Sequence, residues 1–173
     1  MFNKYKNKGL TGLANCGNTC YLNSCIQIIS HTYELSLGLD DDSLHINNNI
    51  DASILSEYNI LRKMMWENNC TIAPHGFING IQLAAQEKDY LLFTGFDQND
   101  VTEFLNFFID SLHNALSQKV NLSISGVSLN NKDNHAIKCY EMFINRYKDD
   151  YSLIIDLFYG IQVTKIFNKD TKN

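Results

Sequence analysis

The sequence predicts an α+β fold that is mainly helical and only begins a sheet near its end. Two observations carry that reading. Apolar residues recur at helical spacing through most of residues 20–149. Residues 152–167 are instead rich in β-branched and aromatic side chains, and their second half alternates. A single strand does not stand alone in water. The pattern therefore predicts an incomplete domain, whose remaining strands lie outside this chain.

Taken in order, residues 1–9 are polar and read as a flexible N-terminus. A Gly/Asn turn from Ala14 to Thr19 leads into a helix with Leu22, Cys25, Ile26 and Ile29 on one face, so Cys20 falls in its first turn. Residues 36–50 hold Asp40-Asp41-Asp42 and Asn47-Asn48-Asn49 and read as a solvated loop. The next helix starts at Asp51 as N-cap and runs to about Glu67, with Ile54, Tyr58, Leu61 and Met65 inward. Pro74 suits the start of a helix over 74–87, with Phe77, Ile78, Ile81 and Ala85 inward.

The clearest period is in 97–117, where Val101, Phe104, Leu105, Phe108, Ile109, Leu112 and Leu116 share a face. Asp97 is the expected cap, with Asp100 completing a box-like start. After a polar connection over 118–133, residues 134–149 place Ile137, Tyr140, Ile144 and Tyr147 on one side. The second half of the final strand is expected to alternate through Ile161, Val163 and Ile166, with Lys165 outward.

The chain has 173 residues and is 45% hydrophobic, enough for a real core. Its 14 basic and 19 acidic residues give a net charge of −5, which argues against a nucleic-acid or anionic-membrane coat. No run of about 18 apolar residues is present, and no apolar stretch follows the charged N-terminus as a secretory signal requires. The five cysteines are odd in number and form no C-x-x-C pair. They read as reduced thiols in the cytoplasm or nucleus, with no structural zinc and no cofactor. Cys25, Cys70 and Cys139 are expected as small buried hydrophobes.

Cys20 has a different setting. A helix's first turn offers the positive end of the macrodipole and unclaimed N–H groups, which suit a nucleophilic sulfur. Acyl transfer also needs donors for the oxyanion. The Cys20 N–H can serve, and the Asn15 side-chain amide on the preceding turn can supply another. Gly17 lets the backbone fold tightly between them. The competing reading of the same spacing is a helix-capping turn around a buried cysteine.

The stretch Gly12-Leu13-Ala14-Asn15-Cys16-Gly17-Asn18-Thr19-Cys20-Tyr21-Leu22-Asn23-Ser24-Cys25-Ile26-Gln27 resembles the cysteine box GLxNxGNTCYxNSxxQ of the ubiquitin-specific proteases. Phe96-Asp97-Gln98-Asn99-Asp100-Val101-Thr102-Glu103-Phe104-Leu105 is similar to that family's QQDAxEFL block, with Asn99 for the second Gln and Val101 for Ala. Ser152-Leu153-Ile154-Ile155-Asp156-Leu157-Phe158-Tyr159-Gly160, followed by Thr164, resembles its SxIxxLFxG…S segment. The three blocks occur in family order from residue 10 to about 167.

The resemblance implies a papain-like cysteine protease fold, with residues 10–173 as the N-terminal, thumb-like part of the catalytic domain and the start of the fingers. It implies ubiquitin or ubiquitinated proteins as partners. It also implies Cys20 as nucleophile, Asn15 in the oxyanion hole, and Gln98, Asp100 and Glu103 facing ubiquitin. Asp100 and Glu103, three apart, would form a carboxylate pair for ubiquitin's basic tail. Their competing role is to satisfy the helix dipole. Zinc is not implied, because Phe167 stands near the position of the first finger ligand and no cysteine follows.

In the family that the chain resembles, the catalytic base belongs to a C-terminal His box of the form HxGxxxxGHY. His31, His45, His75, His113 and His135 lie in no such context. The expectation is therefore a nucleophile half whose base comes from a downstream segment or a second chain, with little activity by itself. The alternative is an inactive pseudoprotease that binds ubiquitin.

Overall fold

The computed structural model describes residues 5–164 and residue 166. It is built from β1 (Gly12–Leu13), α1 (Cys20–Ser30), α2 (Tyr33–Leu39), α3 (Ile50–Glu67), β2 (Thr71–Ile72), α4 (His75–Glu87), a 3-10 turn (Leu91–Phe93), α5 (Val101–Leu116), α6 (Asn131–Tyr147) and α7 (Leu153–Phe158). β1 and β2 pair in parallel, Gly12 with Thr71 and Leu13 with Ile72. The fold is thus mostly helical with a small sheet.

The core forms where α3 meets α4 and α5, with α1 laid against α5. Aromatic rings fill the centre. Phe108 meets Tyr58 of α3 edge-on at 5.1 Å and Phe77 of α4 edge-on at 5.5 Å. Phe104, one turn earlier, meets Phe93 of the 3-10 turn at 5.5 Å and Tyr21 of α1 at 5.3 Å. Such pairs add stabilisation beyond area burial because ring edge and face carry opposite partial charge. Tyr58 is fully buried, and burial pushes its phenol well above its ordinary titration range.

The helix starts depart from the sequence expectation in two places. Asn49, not Asp51, caps α3, its side chain accepting from Ala52 N at 3.0 Å. Asp51 lies one residue inside the helix, buried and ion-paired to Lys88. Asp100, not Asp97, caps α5, because its Oδ1 reaches Thr102 N at 2.7 Å and Glu103 N at 3.1 Å. Val101, expected inward, opens that helix and is 46% exposed.

Helix α2 falls partly in the expected loop. Leu35, Ser36 and Leu39 are buried, and Gly38 lies so close to Leu153, the first residue of α7, that a Cβ would collide with it. Buried Arg62 holds the end of α2 by donating to Asp40 Oδ1 at 2.7 Å and Ser36 O at 3.3 Å. Tyr5, from the stretch expected to be loose, stacks on Tyr33 at 4.6 Å and meets Trp66 at 4.8 Å. Gly9 at φ +80° passes so near Trp66 that a Cβ would lie 2.5 Å from the indole.

Among the described residues the expected strand does not form. Residues 152–158 supply α7, and residues 161–164 and 166 carry no regular structure, with Ile166 93% exposed. Strand geometry is held by ladder bonds to a neighbour, and no described strand runs beside this segment. Lys165 and Phe167 lie outside the described residues. Helix α6 forms, but none of its residues is buried. Ile137, Ile144 and Tyr147 are half-covered and Tyr140 is exposed.

Because Phe108 joins three helices, Phe108→Ala should lower unfolding free energy by about 3–5 kcal/mol, the range for emptying a buried aromatic site. Chemical denaturation of the two proteins measures it.

Candidate functional site

The cysteine turn is built around one side-chain carbonyl. Asn15 Oδ1 accepts from Gly17 N at 3.2 Å, Thr19 N at 3.0 Å and Thr19 Oγ1 at 3.2 Å. Cys16 N in turn donates to Thr19 Oγ1 at 3.0 Å. The backbone closes through left-handed residues, Gly17 at φ +101° and Asn18 at φ +53°, which Gly and Asn adopt at lowest cost. With its carbonyl so held, the Asn15 amide keeps its N–H groups, which make no hydrogen bond among the described residues.

Thr19 precedes α1 and is buried, but its hydroxyl serves this turn and does not cap the helix. No acidic residue stands in the first turn of α1 either. The first N–H groups of the helix are therefore unclaimed by any described side chain, and Cys20, the first helical residue, is exposed among them. An N-terminus in this state favours an anion. The expected turn and the expected cysteine position are both present.

Two further residues hold the turn to α1, and their roles were not visible in the sequence. Asn23 Nδ2 donates to Ala14 O at 3.0 Å and to Leu13 O at 3.3 Å. Gln27 Nε2 donates to Thr11 O at 2.8 Å. The available signal was a polar pair at i, i+4 on an otherwise apolar helix, which places both on one face.

The block before α5 lies against this turn, although 78 positions separate the bonded residues. Asn18 Nδ2 donates to Phe96 O at 3.0 Å, and Asn99 Nδ2 donates to the Tyr21 hydroxyl at 3.3 Å. Burial raises the Tyr21 phenol above its usual value, with the Asn99 bond opposing. Gln98, Asp100 and Glu103 are all exposed on this edge. Asp100 uses Oδ1 as the α5 cap, and the backbone bonds from Glu103 and Thr102 hold its carboxyl below the ordinary value.

Among the described residues no hydrogen bond joins a histidine to Cys20. His31 faces Gln27 O and Gly9 O, His45 faces Asn47, and His135 faces Asn131 O. His113 is buried with Nδ1 2.8 Å from Ser152 Oγ and Nε2 3.2 Å from Asp150. His75 opens α4. Cys25 is buried as expected, with its Sγ donating to Val101 O at 3.6 Å, but Cys70 is exposed and Cys139 only half-covered. Cys70 lies just before β2, where no described element buries it. No described group of three His, Cys, Asp or Glu is placed to hold a metal ion. No described helix is long and apolar enough to cross a membrane.

Fold and site together define a class, a helical domain that presents an exposed cysteine at an uncapped helix N-terminus beside an anchored amide donor. Residues 11–173 match the family model described as ubiquitin carboxyl-terminal hydrolase. The chain is 36% identical over 159 residues to ubiquitin carboxyl-terminal hydrolase Usp2 of Drosophila melanogaster, a match covering 90% of this chain and 16% of that relative. It is 35% identical over 119 residues to human ubiquitin carboxyl-terminal hydrolase 2, covering 64% of this chain and 18% of the relative. Ubiquitin carboxyl-terminal hydrolase 15 of Xenopus tropicalis is 32% identical over 162 residues, covering 88% and 16%. The chain belongs to the ubiquitin carboxyl-terminal hydrolase family, and it corresponds to an N-terminal catalytic region of its ubiquitin-specific proteases. It spans less than a fifth of the length of each of these relatives.

The depressed Asp100 carboxyl links capping to pH. The ionised cap contributes fully above the ordinary unfolded carboxylate range and is lost as pH falls through the lower folded value. The stability gap between the protein and Asp100→Asn should therefore shrink from about pH 6 to about pH 2.5. Thermal unfolding of both across that range checks the sign.

Proposed function

We propose that this chain is the nucleophile-bearing part of a papain-like ubiquitin-specific cysteine protease. It hydrolyses the bond after the C-terminal glycine of ubiquitin. The Cys20 thiolate attacks the glycine carbonyl carbon. The oxyanion so formed is received by the Cys20 N–H and the Asn15 Nδ2–H groups. Collapse expels the substrate amine, which takes a proton from a histidine acid–base, and leaves a thioester on Cys20. Water, deprotonated by the same histidine, then releases the ubiquitin carboxylate and restores the thiol.

The single observation that carries this reading is the Asn15 amide. Its carbonyl is engaged by the turn, which leaves its N–H groups as donors beside an uncapped helix start and an exposed Cys20. The histidine comes from polypeptide outside these residues, downstream or in a second chain. Gln98, Asp100 and Glu103 receive ubiquitin's basic tail. The working compartment is reducing, cytoplasm or nucleus, since the thiol acts free.

A ubiquitin bearing a C-terminal electrophile tests this in the chain joined to its His-bearing partner segment. Labelling should occur at Cys20 and vanish in Cys20→Ala. Asn15→Asp retains the Oδ1 acceptor but removes the donor, so labelling should slow about 10²–10³-fold, as for other oxyanion donors. Labelling of Asn15→Asp at the unsubstituted rate would refute the assignment.

A second reading is favoured by the histidine positions alone, since none is bonded at Cys20. It is a ubiquitin-binding module without turnover. It expects ubiquitin to bind with Cys20→Ala unimpaired and Glu103→Lys weakened, and no labelling even with the partner segment present. Titration calorimetry beside the labelling assay separates the two.

A further inference from the structure

Two asparagine amides bridge the cysteine turn to residues 95–100, and they flank Cys20 on both sides. Asn18 stands two residues before it and Tyr21 directly after it. The Asn18 amide reaches Phe96 O at 3.0 Å, and the Asn99 amide reaches the Tyr21 hydroxyl at 3.3 Å. Neither bridge is needed to close the Asn15-centred turn, which has its own bonds.

Both ends of the bridges are themselves held. Asn99 Nδ2 uses its second hydrogen on Asp97 O at 3.1 Å, which fixes the amide within its own loop. The Tyr21 ring stacks on Phe93 at 6.1 Å and meets Phe104 at 5.3 Å, so its hydroxyl has a fixed place. The Phe96 ring lies 3.5 Å from where a Cβ on Gly17 would stand. The loop before α5 thus acts as a splint along an exposed helix start, in addition to the bonds that tether it from the β1 side.

We propose that Asn18 and Asn99 are positioning residues for Cys20, a two-point clasp that holds the thiol among the helix N–H groups and couples it to the Gln98–Asp100 edge. The clasp rests on the reading of Cys20 as the reactive thiol. Through Asn99, which sits between Gln98 and Asp100, a ligand on that edge alters the setting of Cys20.

Iodoacetamide alkylation of the full chain tests the clasp without any deubiquitinating activity. Site-resolved mass spectrometry follows each cysteine. Exposed Cys70 is the internal reference, and buried Cys25 reports loss of fold. Asn18→Gly keeps the left-handed backbone at φ +53° and removes only the side-chain bond. Tyr21→Phe removes the other acceptor. Each should lower the Cys20-to-Cys70 rate ratio about two- to tenfold, the scale of one hydrogen bond, with Cys25 still protected.

Asn99→Ala should do the same, and Asn99→Gln, which restores the amide, should return the ratio to that of the unsubstituted chain. Unchanged ratios in Asn18→Gly and Tyr21→Phe would overturn the clasp. So would a fall accompanied by Cys25 labelling, which marks a merely structural role. Absence of ubiquitin labelling with a normal alkylation pattern would instead count against the proposed function and leave the clasp standing.

Discussion

The buried aromatic face of α5 is the constraint on which the rest of the structure depends. Phe108 joins α3 and α4 through Tyr58 and Phe77, and Phe104 joins α1 and the 3-10 turn through Tyr21 and Phe93. Rings of this size lock register because their edges must meet faces. Once α5 is seated, its N-terminus has only one place to lie, beside the first turn of α1. The Asp100 cap then fixes where α5 begins, and hence where residues 95–100 cross the cysteine turn.

The site follows from hydrogen-bond accounting within that frame. A turn of left-handed residues exposes backbone donors that need acceptors. Asn15 Oδ1 satisfies two of them, Gly17 N and Thr19 N, and it also holds the Thr19 hydroxyl, whose oxygen satisfies a third, Cys16 N. That arrangement uses up the groups that would otherwise cap α1. The uncapped helix start, a local loss of stability, is thus a direct consequence of how the turn is closed. Asn23 and Gln27 compensate by tying α1 to the β1 segment.

The opposite end of the chain shows the same physics by contrast. Helix α6 has no fully buried residue, and residues 161–164 and 166 lack ladder partners. Ile161 and Val163 line an open groove with Ala136, Cys139 and Tyr140 of α6 but remain exposed there. The α7 start is held because Ser152 caps it while also meeting His113. Local capping and long-range packing are therefore separable along this segment.

Sequence alone determined the helices whose apolar period is long, α1, α3, α4 and α5, because core burial imposes that period directly on residue choice. It also determined the cysteine turn, whose Gly17 and Asn18 are demanded by left-handed backbone. Only the tertiary structure decided which side chain caps α3 and α5, since several Asp and Asn residues lie within reach and the competition is settled by where packing starts the helix. Likewise only packing brought Asn18 to Phe96 and Asn99 to Tyr21, because pairings across 78 residues leave no local periodicity to read. The unformed strand has the same cause in reverse. Alternation at 161–166 encodes a two-faced segment, and whether such a segment becomes a strand depends on a neighbour to which it can bond.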